Sequence, residues 1–67
     1  MVTDRILIAD PDDFEDALMF FEEDGVRVDG TGEGAFGAMY IDIAVTDLRK
    51  AEAIMDEAAI DYELFRF

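Results

Sequence analysis

The chain has 67 residues, enough for one domain, and its 18 acidic residues against five basic ones give a formal net charge of −13. This charge excludes direct binding to nucleic acid, and the absence of cysteine and histidine excludes disulfides and the usual structural zinc sites. The sequence contains no apolar run that could span a membrane and no secretion signal, so a cytoplasmic location is expected.

The first two predicted elements are a buried strand and a clearly delimited helix. The segment RILIA, residues 5–9, consists mainly of isoleucine and leucine and is typical of a strand buried on both faces. Asp10 is then a suitable N-cap, and Pro11 suits the first helical position. The helix is predicted to run to Asp24, because Gly25 is the residue type that most often terminates helices.

The middle of the chain predicts a hairpin. VRVD, residues 26–29, alternates as a half-buried strand, and AMYIDIAV, residues 38–45, alternates over a full strand length. The glycine-rich segment GTGEGAFG, residues 30–37, is predicted to connect the two strands.

A second helix and a last strand complete the predicted chain. Thr46 is the predicted N-cap of a helix that runs to about Ala59, and residues 61–67 form the last strand. The order is then β-α-β-β-α-β within a single domain over residues 1–67. This order matches the split βαβ, ferredoxin-like arrangement, an α+β fold with a four-stranded antiparallel sheet and two helices on one face. The first and third strands should be central, which leaves the second and fourth at the edges.

Two segments, IADPDDFEDALMFFEEDGVRV and YIDIAVTDLRKAEAIMDEAAIDYEL, share a pattern with a known family. A D-P step precedes the first helix, a glycine leads into the second strand, and T-D-x-x-K-A-E begins the second helix. In these features the chain resembles the ACT domain, a small ligand-sensing domain, over nearly its whole length. ACT domains typically have glycine where Asp12 and Ala59 stand in this sequence. The resemblance implies the ferredoxin-like fold and a tendency to dimerise.

The sequence offers little for catalysis or metal binding. Nucleophilic catalysis needs a base beside the nucleophile, and the threonines and Lys50 have no histidine to activate them. Asp29, Thr31 and Glu33 alternate like the first half of a calcium loop. However, Tyr40 stands where such a loop needs a bidentate glutamate. We therefore predict a protein that is not an enzyme, with no catalytic residue and no metal site.

Residues 32–37 have the form of the dinucleotide-binding fingerprint G-x-G-x-x-G. That fingerprint works because its glycines lead into a helix whose N-terminus faces the pyrophosphate. In this chain a strand is predicted to follow, and Glu33 would repel the phosphates. The glycines are therefore interpreted as a flexible hairpin connection, and no cofactor is predicted.

The segment ALMFFEED, residues 17–24, contains two apolar side chains that helical periodicity does not explain. One helix face is predicted to pack on the sheet and consists of Phe14, Ala17, Leu18 and Phe21. Met19 lies almost opposite that face, and Phe20 lies at its flank. Either Phe20 reaches the contact with the second helix while Met19 is simply exposed, or both form an apolar anchor for a partner. Four carboxylates would ring this anchor: Glu15, Asp16, Glu22 and Glu23.

A second candidate interaction surface is the sheet face that points away from the helices. If Ile6, Ile8, Ile41 and Ile43 point into the core, strand alternation assigns this face to Leu7, Ala9, Tyr40, Asp42 and Ala44. The face is apolar for a surface in water, and a homodimer would bury Leu7 and Tyr40.

The acidic surface admits three interpretations: a solvated face adapted to high salt, a decoy of the phosphate backbone, or a patch that docks on a basic partner. The carboxylates of the acidic patch lie on the first helix and are Asp12, Asp13, Glu15, Asp16, Glu22 and Glu23. We predict a salt-adapted regulatory or protein-interaction module that forms a homodimer and binds a protein or a small effector. The alternative is an acidic inhibitor that mimics nucleic acid and occupies a nucleic-acid-binding protein.

Overall fold

The computed structural model describes residues 2–34 and 37–65 and has a sheet of four strands and two helices in this part of the chain. In chain order the elements are β1 (Thr3–Ile8), α1 (Pro11–Asp24), β2 (Val28–Glu33), β3 (Met39–Ala44), α2 (Leu48–Glu57) and β4 (Glu63–Phe65). All neighbouring strands are antiparallel, and the strand order is β2-β3-β1-β4. The predicted α+β class and the central positions of the first and third strands are confirmed.

Helix α1 has the predicted bounds because both of its ends are specified locally. At its start, the carboxylate of Asp10 accepts a hydrogen bond of 2.9 Å from the backbone N–H of Asp12, and Pro11 occupies the first helical position. At its end, Gly25 has a left-handed φ of 74°. This conformation lets the next residue, Val26, donate a 2.8 Å hydrogen bond to the carbonyl of Phe21.

Helix α2 begins differently from the prediction. Thr46 is not its N-cap, because Thr46 lies inside a 3-10 turn, Val45–Asp47, that precedes the helix. No side chain caps α2. The carboxylate of Asp47 instead accepts a 3.0 Å hydrogen bond from the backbone N–H of Arg27, which ties the start of α2 to the segment that follows α1.

The end of α2 repeats the geometry of the end of α1 without a glycine. Ile60 donates a 2.9 Å hydrogen bond to the carbonyl of Met55, and Ala59 donates one of 3.2 Å to the carbonyl of Asp56. This pattern places Ala59 in the left-handed region with a φ of 56°. A residue with a β-carbon is disfavoured there, so α2 ends in a strained conformation.

The strand bounds differ from the prediction most clearly at β2. The sequence predicts a strand over residues 26–29, whereas β2 spans Val28–Glu33 and includes part of the predicted connection. It pairs with β3 through Val28 and, after a bulge at Asp29, through Gly30, Thr31 and Gly32. The glycines belong to the strand because β3 supplies their hydrogen-bonding partners. The flexibility of glycine had suggested a loop, but pairing with a neighbouring strand determines their conformation here.

The other strands agree in position and differ in length. β1 begins two residues earlier than predicted and ends at Ile8, and β3 is shorter by one residue at each end. β4 spans Glu63–Phe65 within the predicted segment 61–67. The last two positions of that prediction lie outside the described residues.

A single core joins the sheet to both helices. Ile6 and Ile41 are opposite one another in neighbouring strands, and both are fully buried. The same cluster contains Ile8 and Ile43 from the sheet, Ala17 and Phe21 from α1, and Leu48, Ala51 and Met55 from α2. Because alternate strand residues meet both helices, α1 and α2 pack against the same face of the sheet. The predicted inward direction of the four isoleucines is confirmed.

Candidate functional site

The face of the sheet opposite the helices, called the open face below, is formed by alternate residues of the four strands. The strand register places on it Arg5 and Leu7 from β1, Tyr40 and Asp42 from β3, Glu63 and Phe65 from β4, and Gly30 and Gly32 from β2. Leu7 lies directly opposite Tyr40, so the register brings together the predicted apolar residues of this face. Ala44 is buried at the end of β3, and Ala9 lies beyond the end of β1.

Arg5, Tyr40 and Asp42 form a compact group on the open face. The Arg5 Nε donates to Asp42 Oδ1 at 2.9 Å, and its Nη2 donates to Oδ2 at 3.2 Å. The same guanidinium lies 3.9 Å from the centroid of the Tyr40 ring, which is a cation-π distance. The hydrogen bonds to Asp42 raise the pKa of Arg5 above its ordinary value, although partial burial opposes this shift. The group therefore carries a neutralised charge pair on an aromatic ring.

Gly32 of β2 leaves the space that the Tyr40 side chain occupies. A β-carbon at Gly32 would lie 2.6 Å from the Tyr40 hydroxyl and 2.7 Å from its ring, closer than real contacts allow. A β-carbon at Gly30 would meet the Asp42 carboxylate at 3.9 Å. The sequence pattern predicted a flexible connection at these glycines. The signal that could have identified this role is their period-two spacing, G-T-G-E-G, which assigns alternate glycines to one face of a strand.

Met19 and Phe20 lie in different environments on α1. Met19 is 49% exposed, whereas Phe20 is half-buried and packs against the core cluster. Phe20 also lies at the contact between the two helices, near Ile54 of α2. Phe20 therefore has a structural contact of its own, as one of the two alternatives expected, and an anchor formed by both side chains stays a prediction.

A shallow groove runs between α1 and α2 and was not identified from the sequence. It has a volume of about 340 Å³ and is lined by Phe20, Asp24, Ile54, Glu57 and Ala58. This groove is called the helix groove below. Its lining combines an aromatic ring and aliphatic groups with two carboxylates. No spacing in the sequence indicates it, because its residues come from two helices whose contact depends on the tertiary fold.

The acidic patch lies along α1. Five of its six carboxylates are on exposed residues, and Asp13 is half-buried. Partial burial raises the pKa of Asp13, and the neighbouring charges of Asp10, Asp16, Asp61 and Asp12 add to this shift. Among the described residues, no member of the acidic patch forms an ion pair. The patch is therefore an uncompensated anionic surface.

The pattern that resembles half of a calcium loop and the pattern that resembles a dinucleotide-binding fingerprint both lie partly on β2. Asp29, Thr31 and Glu33 are all exposed, and within residues 2–34 and 37–65 no three acidic residues are arranged to hold a metal ion. The fingerprint-like residues 32–37 are followed by β3 rather than by a helix, and positions 35 and 36 of this pattern lie outside the described residues. In the described part of the chain, neither helix is long and apolar enough to cross a membrane.

Comparison of the chain with models of known protein families, with curated proteins and with solved structures gives no match.

Proposed function

We propose that the protein is a salt-adapted interaction module that acts by binding and forms a homodimer through the open face of its sheet. The observation that carries this proposal is the Arg5–Tyr40–Asp42 group, which places a neutralised ion pair and an aromatic ring beside Leu7. Within a chain of net charge −13, such a surface is the one that a second acidic copy can approach at the lowest electrostatic cost.

The fold supports this use of the open face. We assign the strand order β2-β3-β1-β4, with one helix after β1 and another after β3, to the split βαβ, ferredoxin-like arrangement. In a two-layer fold of this kind the helices cover one face of the sheet, and the other face meets water or a partner. A domain of 67 residues has a small core, so covering the second face adds burial that the monomer lacks.

The distribution of charge also favours one side of the molecule, the open face or the helical side, for self-association. Among the residues that the structure describes, the strand register places one cation, Arg5, and two carboxylates, Asp42 and Glu63, on the open face. The helical side carries the acidic patch, and two copies that met there would bring its carboxylates together. Like charges in contact are costly, and therefore the open face is favoured. Fully burying Leu7 and Tyr40 would contribute roughly 1.5–3 kcal/mol each, and less in proportion to their existing partial burial.

The resemblance to ACT domains adds a small effector to the proposal. We do not propose that this effector binds at Asp12. In ACT domains the residue after the proline is a glycine, where the backbone approaches the bound amino acid. In this chain the backbone N–H of Asp12 donates to the Asp10 carboxylate within the N-cap of α1. We therefore assign the interaction of this module to the open face rather than to that turn.

The test of the homodimer is the substitution Tyr40→Glu. A charge at this position would have to be buried against apolar groups in a dimer, so we expect the variant to become monomeric. Sedimentation equilibrium or light scattering measures the mass in molar salt, and circular dichroism checks that the variant is folded. Met19→Glu adds the same charge on the helical side and should leave the dimer intact. A wild-type monomer at high protein concentration in molar salt would contradict the proposal.

A second candidate function, nucleic-acid mimicry, is favoured by one observation: the acidic patch is exposed along one helix and has no ion pairs among the described residues. Such a surface could occupy a phosphate-binding site. If so, the protein should bind a nucleic-acid-binding protein, duplex DNA should compete for that partner, and Asp12→Asn with Asp16→Asn should weaken the complex. Binding that duplex DNA does not reduce would contradict mimicry.

A further inference from the structure

We propose that the helix groove binds a basic amphipathic segment of a partner protein. An apolar side chain of that segment would pack against Phe20, Ile54 and Ala58, and its Lys or Arg side chains would face Asp24 and Glu57. This site lies on the helical side of the molecule, away from the open face, so a monomer and a dimer would both present it.

The apolar part of the groove is held in place by the core. Phe20 and Ile54 both pack against the buried cluster with part of their surface and line the groove with another part. The groove floor is thus fixed by packing rather than by loops. Its volume of about 340 Å³ is near the lower end of ligand pockets, which suits one or two apolar side chains inserted from an adjoining chain.

The charge at the groove determines the chemistry of the partner. Asp24 and Glu57 are the last residues of α1 and α2, and neither helix has a basic residue in its last turn. The helix dipole places partial negative charge at a helix C-terminus, which adds to that of the carboxylates. Cations are therefore favoured at this place, and an anionic peptide or an anionic membrane would be repelled.

Within residues 2–34 and 37–65, a second copy of this chain does not offer the groove a basic amphipathic segment. The sequence contains one pair of adjacent basic residues, Arg49 and Lys50. Both lie in α2 between the buried residues Leu48 and Ala51, so they cannot be inserted as a basic amphipathic segment without unfolding that helix. We therefore take the occupant to be a segment of a different protein.

The experiment uses a fluorescent synthetic peptide of leucine and lysine, about four helical turns long, with its leucines on one helical face. Fluorescence anisotropy measures its affinity for all protein variants at one common salt concentration, the lowest at which circular dichroism shows every variant to be folded. High ionic strength suppresses long-range attraction and leaves only contacts between neighbouring charges. Measured in this way, affinity reports the site rather than the net charge of the chain.

Two pairs of matched variants locate the site. Ala58→Gln places a longer side chain in the groove, just after the end of α2, and should weaken peptide binding about tenfold. Ala53→Gln, at an exposed position of α2 outside the groove, should change it less than about twofold. Asp24→Asn with Glu57→Gln should weaken binding by about fivefold, whereas Asp29→Asn with Glu33→Gln, which removes the same charge from β2, should have little effect.

Several results would overturn this proposal. Equal losses from the groove variants and their matched controls would assign binding to bulk charge. A peptide of the same composition with its leucines scattered around the helix should bind at least about fivefold more weakly, and equal affinity would remove the apolar contact. Displacement of the peptide by equimolar spermine would show that charge alone is recognised. Tyr40→Glu should leave peptide affinity unchanged, so failure of the homodimer and failure of the groove are separate outcomes.

Discussion

The two sides of the molecule handle charge in opposite ways. On the open face, Arg5 neutralises Asp42 and stacks on Tyr40, so a carboxylate and an aromatic ring share one cation. On the helical side, the acidic patch forms no ion pair among the described residues. On the first side the protein itself neutralises the charge of Asp42, while the acidic patch on the second relies on water and dissolved ions.

From this difference we expect the helical side to limit the stability of the protein. The sheet supplies the fully buried isoleucines of the core, whereas the helical side adds repulsion between carboxylates and a left-handed alanine. Substitutions that remove this repulsion or the strained alanine should therefore stabilise the protein. Substitutions that remove contacts between the helices and the core should lower the free energy of unfolding.

The largest effect is expected from salt. The segment from Asp10 to Asp24 holds eight carboxylates in fifteen residues without a basic residue between them. At about 0.01 M salt the screening length is roughly 30 Å, so these charges all repel one another, and at about 1 M it is roughly 3 Å. We expect circular dichroism to show a frayed or unfolded chain at low salt and a folded one in molar potassium chloride.

A neutralised helix provides the control for salt dependence. The combination Glu15→Gln, Asp16→Asn, Glu22→Gln and Glu23→Gln should fold at lower salt than the wild type, because it removes repulsion without touching the core. A cooperative wild-type melt that stays unchanged from about 0.01 M to about 1 M salt would show that the acidic surface is not a salt adaptation. That result would favour nucleic-acid mimicry.

The next largest effect is a difference in stability loss between substitutions at two neighbouring residues of α1, Phe20 and Met19. Phe20→Gln removes an aromatic side chain that packs against the core, and we expect a loss of about 2 kcal/mol in the free energy of unfolding. Met19→Gln changes an exposed side chain and should cost less than about 0.5 kcal/mol. Urea unfolding in molar salt measures both. Equal losses would mean that Phe20 is not part of the contact between the helices.

How far the fold could be predicted depends on whether its determinants are local. The bounds of α1 were predicted because Asp10, Pro11 and Gly25 act on the adjacent helical turn. The range of β2 was wrong because Gly30 and Gly32 serve a contact with β3, about ten residues away in the sequence. A glycine that makes room for a distant tyrosine looks, in sequence, like a glycine in a turn.

The candidate surfaces divide in the same way. Alternation alone placed Leu7, Tyr40 and Asp42 on one face, because the side-chain period of a strand is fixed. It did not identify Arg5 as the partner of Asp42, since that pairing depends on the register between β1 and β3. A contact between Phe20 and the second helix was one of the alternatives expected, but the helix groove was not identified, because its lining depends on how the two helices pack.

A smaller effect is expected at the end of α2. Ala59→Gly should stabilise the protein by about 0.5–1 kcal/mol, because glycine adopts the left-handed conformation without the clash of a β-carbon. The neighbouring Ala58 has an ordinary right-handed φ of −83°, so Ala58→Gly should instead destabilise the protein by a similar amount. Thermal melts in molar salt compare the two variants. The same sign for both would mean that Ala59 is not strained.

The smallest effect concerns the pKa of Asp13. Partial burial raises this pKa first, and the charges of Asp10, Asp16, Asp61 and Asp12 raise it further. An acid whose pKa is higher in the folded protein than in the unfolded chain binds its proton more tightly when folded. Its contribution therefore opposes folding at neutral pH, and this penalty fades as the pH falls from the folded pKa towards the ordinary value of about 3.9.

Asp13→Asn should remove this penalty. We expect the variant to be more stable than the wild type at pH 7, and the difference to shrink as the pH falls, because protonated Asp13 and asparagine are both neutral. Urea unfolding at a series of pH values in molar salt measures the difference. Asp29→Asn makes the same chemical change on exposed β2 and serves as the control for the loss of one net charge. If both variants gave the same profile, the effect would come from net charge and not from the environment of Asp13. A gain that stayed constant down to acidic pH would contradict the raised pKa itself, because the carboxylate would then have no proton to take up in this range.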